Sequence, residues 1–305
     1  MSLDTSALRL FVLAAELLNI SAAGRRLGWA PAVSSAKLAK LEQHLGAELL
    51  HRTTRKVSLS LEGADFLPFA REIIAQEDAA MAALGKQAAT LRGTLRFAAP
   101  STFAQLYIAP ILPKFLKQHP DLTLDLRLSD LPFDLIEGSY DLALRNAPLF
   151  DTSLKGRKLA DDQRILCAAP GYIETHGAPE TPADLAQHSL IAFRSPEARP
   201  LKGPQGASGI FHPADAKNQL IIDDGQSQIR ATLAGAGISL NALWSVHAEL
   251  ASGRLMRVLP EYEAAEENVL WLIYPKSNVL SPKVRVFMDF LVSEIGKSPR
   301  WLEKK

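Results

Sequence analysis

The sequence of 305 residues contains a single cysteine and no long apolar run. One thiol, Cys167, excludes an intramolecular disulfide and any zinc site built from several cysteines. No stretch has the length and apolarity of a membrane-spanning helix, and the first residues show neither the basic lead nor the apolar core of a signal peptide. We therefore expect a cytoplasmic protein without a membrane partner.

The usual motifs for catalysis and for cofactor binding are also missing. The sequence has no Gly-x-Gly-x-x-Gly, no Walker loop and no Gly-x-Ser-x-Gly nucleophile turn. Its 7 histidines are scattered, and no grouping of His, Cys and Asp has the spacing of a metal site. The sequence thus predicts no catalytic residue, no metal site, no cofactor and no enzyme activity.

The composition is that of an ordinary globular protein, with 47% hydrophobic and 22% charged residues. Its length suits two or three domains. The formal net charge of +1 conceals a local excess of cations near the N-terminus. Cys167 stands in the apolar run 165–169, which we interpret as a buried strand; the alternative is a redox-sensing thiol.

Residues 19–59 have the pattern of two short helices followed by a basic hairpin. Ser21 is predicted to cap the first helix, and Gly28 to end it in the left-handed conformation. Pro31 suits the first position of the second helix, and Gly46 closes that helix. Apolar residues at i, i+3 and i+7 predict the buried stripe of the second helix, formed by Leu38, Leu41 and Leu45.

The opposite face of the second helix combines methyl groups with ammonium groups. Its members are Ala32, Val33, Ala36, Lys37 and Lys40. Such a helix fits the major groove of DNA, where methyl groups contact thymine and lysines reach guanine edges or phosphates. The alternative is that Lys37 and Lys40 belong to an ordinary solvated helix face.

A basic segment follows between the apolar runs 49–50 and 57–59. We predict a β-turn tip, the wing, whose cations project toward the minor groove and the flanking phosphates. The wing consists of Arg52, Thr53, Thr54, Arg55 and Lys56. The bases between positions 21 and 60 are Arg25, Arg26, Lys37, Lys40, Arg52, Arg55 and Lys56, and the acids are only Glu42 and Glu48. This excess is typical of a phosphate-binding surface.

These motifs resemble the N-terminal pattern of the LysR-type transcriptional regulators. The segments that carry the resemblance are Asn19–Ala23, Ser35, Leu41–Gly46, Leu49–Arg52 and Leu59–Gly63. It implies that residues 1–59 form a winged helix-turn-helix domain, and it adds Ser21, Arg25 and Ser35 to the DNA-contacting residues. Asn19-Ile20 departs from the usual Ser-Phe, Ala30 from a capping Ser or Thr, and Ser60 from Thr.

The resemblance implies a linker helix over residues 60–91 that pairs two subunits, with Ser60 as its N-cap. Apolar residues spaced by seven support a coiled-coil-like seam that Glu77 interrupts and Pro68 bends. The seam consists of Leu67, Ile74, Met81 and Ala88, with Ala70, Leu84 and Leu91 offset by three. The alternative is a helix that packs on its own domain. A homodimer or dimer of dimers would read an interrupted palindromic operator, with RNA polymerase as a further candidate partner.

From residue 93 onward, strand-like runs alternate with helical ones, which predicts an α/β fold with a mostly parallel sheet. The resemblance implies an effector-binding domain, residues 92–305, with a pair of α/β subdomains arranged as in periplasmic binding proteins. Subdomain I would span about 92–162 and 269–305, and subdomain II about 163–268. The chain would cross between them near 160–164 and 267–270. Residues 194–213 are expected to form a surface loop or a loose hairpin.

Small molecules bind open α/β sheets at the carboxyl ends of strands, where helices begin. Five residues at such ends match positions that line the effector cleft in the family: Ser101, Thr102, Arg145, Arg194 and Gln226. Each has a local alternative, a helix cap for Ser101 and a surface ion pair for the arginines. The neighbouring Asp223 and Asp224 would weaken the binding of a simple anion and favour an effector with a hydroxyl or an amine.

The sequence therefore predicts a DNA-binding transcriptional regulator that senses a small-molecule effector. The alternative is a solute-binding protein without a DNA function, since the C-terminal two-thirds alone fit that class. A solute-binding protein would have a signal peptide and no basic wing, and this sequence shows the reverse.

Overall fold

The structure is a computed structural model of the chain. It describes residues 3–52, 57–83, 91–131, 140–146, 154–266, 268–276, 280–297, 299 and 301–302. The chain divides into two compact units, of which one holds the N-terminal helices and the other holds the sheets that begin at residue 93.

The N-terminal unit contains four helices and a two-stranded sheet. The helices are α1 (Thr5–Leu17), α2 (Ile20–Arg26), α3 (Pro31–Leu45) and α4 (Leu61–Ala83), and the strands are β1 (Leu50–Arg52) and β2 (Val57–Leu59). Leu8 and Phe11 of α1 pack with Leu38 and Leu41 of α3 in one buried core. Helices α2 and α3, followed by β1 and β2, are the two short helices and the hairpin strands that the sequence predicts.

The helix ends follow the predicted chemistry with one correction. Asn19, not Ser21, caps α2, since its Oδ1 accepts a hydrogen bond from the Ala22 amide at 2.8 Å. Ser21 lies inside the first turn, because the helix begins two residues earlier than the pattern suggested. Gly28 and Gly46 both adopt the left-handed conformation, as predicted. Pro31 opens α3, and Ala30 before it provides no side-chain cap.

Helix α4 begins as predicted, because the Ser60 Oγ accepts a hydrogen bond from the Gly63 amide at 2.8 Å. The predicted seam, however, faces inward at Leu67, Ala70 and Ile74, whereas Met81 is 40% exposed. Leu67 and Ala70 are buried in the core of their own unit, and Ile74 packs against it. Residues 61–78 therefore form a helix that packs on its own domain. Residues 84–90 of the seam lie outside the described residues.

Glu77 has a role in this packing that the sequence did not indicate. Its carboxylate accepts a hydrogen bond from the Thr5 hydroxyl at 2.8 Å and pairs with Arg9 at 2.9 Å, both on α1. The Thr5 hydrogen bond, aided by the charge of Arg9, lowers the pKa of Glu77. The residue that was predicted to interrupt a dimer seam thus ties α4 to α1.

The described residues of the C-terminal unit form two five-stranded sheets and a three-stranded one. Its strands are β3 (Gly93–Ala99), β4 (Leu122–Leu128), β5 (Leu142–Asn146), β6 (Leu154–Asp162), β7 (Arg164–Ala168), β8 (Ser189–Phe193), β9 (Arg199–Lys202), β10 (Ser208–Phe211), β11 (Asn218–Ile222), β12 (Ile238–Ala242), β13 (Met256–Arg257), β14 (Glu263–Ala264) and β15 (Asn268–Pro275). Its helices are α5 (Ser101–Phe103), α6 (Leu112–Gln118), α7 (Pro170–His176), α8 (Gly225–Leu233), α9 (Leu243–Ala251) and α10 (Pro282–Leu291).

Both large sheets are mixed, so the prediction of a mostly parallel sheet was wrong in part. The orders are β4-β3-β5-β15-β6 and β11-β8-β12-β7-β13. In the first sheet β3, β4 and β5 run parallel, whereas β15 is antiparallel to β5 and β6. In the second, β8, β11 and β12 run parallel, whereas β7 is antiparallel to its neighbours β12 and β13. The antiparallel strands adjoin the places where the chain passes between the sheets.

The first crossing lies at Gln163, between β6 in one sheet and β7 in the other. The sequence predicted a crossing in this region but missed β6, whose alternation of charged and apolar residues is weak. The segment 194–213 contains the antiparallel hairpin of β9 and β10. The sequence pattern also predicts a short helix that ends at Gly138, and this segment lies outside the described residues.

Candidate nucleic-acid interface and effector cleft

Helix α3 presents the predicted outward face to solvent. Ala32, Val33, Ser35, Ala36 and Lys40 are exposed, and the Val33 side chain is 46% exposed. Leu38 and Leu41, on the other side, are buried. The helix therefore offers small apolar groups and one ammonium on a surface that the major groove of DNA can accept.

Lys37 departs from this prediction, because its ammonium group is bound within the domain. It lies 3.0 Å from the Asp4 carboxylate and 2.8 Å from the Ser6 hydroxyl, and it sits 4.8 Å from the centre of the Trp29 ring. Hydrogen bonds from Ser6, together with Lys37, lower the pKa of Asp4 to about 2. Lys37 thus connects the recognition helix α3 to the start of α1.

The start of β1 is held against α3 by a residue whose role the sequence did not indicate. The Glu42 carboxylate accepts hydrogen bonds from the amides of Leu49 and Leu50, at 3.0 Å and 3.2 Å. Glu42 belongs to the Leu-Glu-x-x-Leu-Gly motif, and the two amides lead into β1. The acid therefore fixes the entry into the hairpin, where buried N–H groups need partners.

The remaining predicted DNA contacts lie at two places. Ser21 is partly exposed in the first turn of α2, and Arg25 is exposed in its last turn. Arg52 ends β1, where it pairs with Val57 of β2. The wing tip, Thr53, Thr54, Arg55 and Lys56, lies outside the described residues.

In the C-terminal unit, three main-chain and side-chain donors surround one carboxylate, that of Asp130. The Ser101 amide donates to Asp130 Oδ1 at 2.7 Å. The Gly225 amide and the Thr102 hydroxyl donate to Asp130 Oδ2, at 2.7 Å and 3.3 Å. Ser101 and Thr102 follow β3, Asp130 follows β4, and Gly225 opens α8. The cluster therefore joins the carboxyl edges of the two large sheets.

Asp130 was missed in the sequence, although the rule that selected Ser101 would have found it. It stands two residues after the end of β4, at the same sheet edge as Ser101, because β3 and β4 run parallel. The hydrogen bonds around Asp130 also require a glycine at position 225. A Cβ at position 225 would lie 2.8 Å from the Thr102 hydroxyl and 3.2 Å from Asp130 Oδ2.

Arg194 faces the same cluster from the end of β8. It has a left-handed backbone with φ 66°, which is uncommon for a residue other than glycine. Its amide donates to the Ile222 carbonyl at 2.7 Å, and its guanidinium lies 5.0 Å from the centre of the Phe193 ring. Desolvation lowers the pKa of Arg194, and the charges of Asp130 and Asp223 oppose this shift.

The other predicted effector residues lie near the cluster without taking part in its hydrogen bonds. Arg145 is exposed near the end of β5, and Gln226 follows Gly225 in the first turn of α8. The two adjacent acids of the predicted pair, Asp223 and Asp224, have different environments. Asp224 caps α8 by accepting from the Ser227 amide at 2.7 Å, whereas Asp223 is exposed.

Cys167 is fully buried in β7, as the apolar run predicts. The Asn241 side chain donates a hydrogen bond to its sulfur at 3.2 Å. Burial raises the pKa of the thiol to about 11, so the reactive thiolate is scarce at neutral pH. This environment favours the structural interpretation of Cys167 over the redox one.

Two family descriptions match consecutive parts of the chain. Residues 5–64 match the bacterial regulatory helix-turn-helix proteins of the lysR family. Residues 88–296 match the LysR substrate binding domain. The chain belongs to the LysR family. It is a LysR-type transcriptional regulator, with a helix-turn-helix domain and a C-terminal domain of the effector-binding class.

Similar proteins cover nearly all of this regulator. An HTH-type transcriptional regulator of Xanthomonas campestris is 33% identical over 97% of this chain and 87% of its own length. The regulator DmlR of Escherichia coli is 33% identical over 93% of this chain and 92% of its own. The solved structure of CrgA, a LysR-type regulator from Neisseria meningitidis, has 28% identity and a TM-score of 0.60 over 97% of this chain and 100% of that one.

Two features are absent from the described residues of the regulator. No helix among them is both long and apolar enough to span a membrane. No group of three or more His, Cys, Asp or Glu side chains among them is placed to hold a metal ion.

Proposed function

We propose that this regulator binds an interrupted palindromic operator through α3 and the wing, and that a small molecule in the Ser101–Gly225 cleft modulates that binding. The observation that carries the proposal is the exposed apolar and basic face of α3, together with the exposed Arg25 of α2. The contacts are proposed for Ser21, Arg25, Ala32, Val33, Ser35, Ala36, Lys40 and the wing residues Arg52, Thr53, Thr54, Arg55 and Lys56.

Lys37 has a different place in this proposal from the one its sequence position suggests. Its ammonium already has the Asp4 carboxylate and the Ser6 hydroxyl as partners. It therefore orients α3 on α1, whereas the exposed Lys40 contacts phosphate or a base edge. Methyl groups and DNA shape contribute the rest of the recognition, because the face of α3 is poor in Asn, Gln and Arg.

A comparison of Lys40→Ala with Lys37→Met tests this assignment. Each phosphate contact that is lost should reduce the slope of log K against log salt by about 1. We expect Lys40→Ala to reduce that slope and Lys37→Met to leave it unchanged. The measurement is fluorescence anisotropy of a selected genomic fragment over a salt series. An equal loss of slope in both variants would contradict the assignment.

The C-terminal unit supports a sensing role rather than catalysis. Effector contacts are proposed for Ser101, Thr102, Arg145, Arg194 and Gln226, which lie at or near the carboxyl edges of the two sheets. Relatives that match along most of the chain are transcriptional regulators. We therefore propose that the regulator has no enzyme activity and that the cleft binds its ligand without transforming it.

We also propose that the regulator works as a homodimer or a dimer of dimers, since two recognition helices are needed to read two half-sites. Within the described part of α4, the apolar residues that remain exposed include Leu61, at 78%, and Phe69, at 62%. These side chains, rather than the inward-facing Leu67 and Ala70, are the candidates for contact between subunits. Effector binding would alter the angle between subdomains and so the spacing of the recognition helices.

A further inference from the structure

We propose that Asp130 determines which class of effector the cleft accepts, an inference that rests on the effector role proposed above. Its carboxylate occupies the anion-binding position between Ser101, Thr102 and Gly225. The cleft therefore selects a ligand that donates a hydrogen bond, through an ammonium or a hydroxyl group, over a ligand with a carboxylate.

The first step of the argument concerns the donors. The amides of Ser101 and Gly225 and the hydroxyl of Thr102 are the groups that could hold a ligand carboxylate at the two sheet edges. All three donate to Asp130, with both amide contacts at 2.7 Å. The carboxylate of a ligand would have to displace the Asp130 carboxylate from this position. Because Asp130 is part of the chain, its effective concentration there is high.

The second step concerns charge. Desolvation lowers the pKa of Arg194, and the charges of Asp130 and Asp223 act on the guanidinium in the opposite direction. The positive charge of Arg194 is thus offset by the negative charges of Asp130 and Asp223. It therefore does not attract an external anion to this position. The carboxylate of a ligand placed beside Asp130 would be repelled by its like charge, which weakens binding.

The third step concerns the acceptor capacity of Asp130. An ionised carboxylate has about four acceptor positions. Among the described residues, Oδ2 accepts from Gly225 and Thr102, whereas Oδ1 accepts from Ser101. With respect to the described residues, Oδ1 can accept a further hydrogen bond from a ligand, and the Asp130 side chain is partly exposed.

Asp130 also closes the cleft. It follows β4 of the first sheet, and Gly225 follows β11 of the second, so their hydrogen bond joins the two subdomains. The absence of a side chain at position 225 permits this approach, because a Cβ there would crowd Thr102 and Asp130. A ligand that donates to Asp130 leaves this closure intact, whereas a ligand that displaces Asp130 breaks it.

The test compares two probes of similar size and opposite charge, malonate and 1,3-diaminopropane, by calorimetric titration of the full-length protein. We expect the wild type to prefer the diamine. Asp130→Ala should bind malonate at least about tenfold more tightly than the wild type does, a factor that corresponds to about 1.4 kcal/mol. Asp223→Ala is the matched control, since it removes the same charge nearby without freeing the three donors, and should gain much less.

A second measurement on the same variants follows the hydrogen exchange of the Gly225 amide, which should accelerate in Asp130→Ala and stay slow in Asp223→Ala. Asp130→Asn, which keeps the size of the side chain, should also weaken the preference for the diamine. The proposal is overturned if Asp130→Ala gains no malonate binding, or if the wild type prefers malonate. These results leave the DNA-binding proposal standing, because that proposal is tested by DNA binding of the wild type.

Discussion

Replacing Arg164 with methionine should lower the free energy of unfolding of the C-terminal unit by about 3–5 kcal/mol, because it leaves a buried carboxylate without its cation. The Asp162 side chain is fully buried, and Arg164 Nε lies 3.3 Å from its Oδ2. Asn146 also donates to this carboxylate. The group flanks Gln163, where the chain crosses between the sheets, so the loss should loosen the crossing. Urea denaturation followed by tryptophan fluorescence measures the change.

The loss of unfolding free energy caused by Arg164→Met should depend on pH. Burial raises the pKa of Asp162 above its ordinary value of 3.8, against the opposing charge of Arg164. Folding therefore favours the protonated form of Asp162. The stability that this form contributes is complete below pH 3.8 and is lost as the pH rises through the folded-state pKa. Without Arg164 that pKa rises further, so the deficit relative to the wild type should grow from acidic to neutral pH.

The double variant Asp162→Asn/Arg164→Met provides the control for this pair. The neutral amide keeps the size of the aspartate and needs no cation, so most of the lost stability should return and the pH dependence should disappear. If Arg164→Met were as stable as the wild type at neutral pH, the ion pair of Asp162 and Arg164 would not stabilise the segment where the chain crosses between the sheets.

Replacing Gly24 with alanine should destabilise the N-terminal unit by about 1–3 kcal/mol, the usual range for overpacking, and should lower the affinity for DNA at least about tenfold, a factor worth 1.4 kcal/mol. A Cβ at position 24 would lie 1.9 Å from the Ser34 Oγ and 2.9 Å from the Ser34 Cβ. Ser34 is buried in α3, so α3 must move away from α2. Its neighbours Val33 and Ser35 on the recognition face move with it.

Two further variants separate crowding from a general cost of substitution. In the background Ser34→Gly, which removes both crowded atoms, Gly24→Ala should cost much less stability. Gly171→Ala, a glycine-to-alanine change in α7 with open space around the new Cβ, should be close to neutral. Thermal unfolding and DNA binding check all four proteins. An equal cost of Gly24→Ala in both backgrounds would contradict the crowding argument.

The N-terminal unit was largely predictable from the sequence because its signals are local. Glycines with left-handed conformation, a proline at a helix start and apolar residues at helical spacing each act within a few positions. The same locality explains the error at Ser21, since Asn19 and Ser21 are both good caps and only the packing of Ile20 decides between them. The partners of Lys37, Asp4 and Ser6, lie too far away along the chain to be read from a pattern.

The C-terminal unit was less predictable because its site depends on long-range contacts. Alternating strands and helices indicated an α/β fold, but the direction of β15 depends on a return of the chain over many residues. The sheet-edge rule found Ser101 and Thr102, which contact Asp130. It did not show that an internal carboxylate fills the space between them, because Asp130 meets Gly225 from a distance of 95 positions in the sequence.

The apolar seam of α4 shows how one pattern can serve two structures. A spacing of seven predicts a face, but it does not determine whether the partner is a second subunit or the same domain. Leu67 and Ala70 contact the core of their own unit, so the heptad spacing there reflects intradomain packing.

The most direct test of the central claim is footprinting of the full-length protein on genomic DNA fragments at two salt concentrations. We expect protection of two half-sites separated by one or more helical turns, and an affinity that falls steeply as salt increases. The absence of sequence-selective protection at low salt would contradict the claim that α3 and the wing form an operator-binding surface.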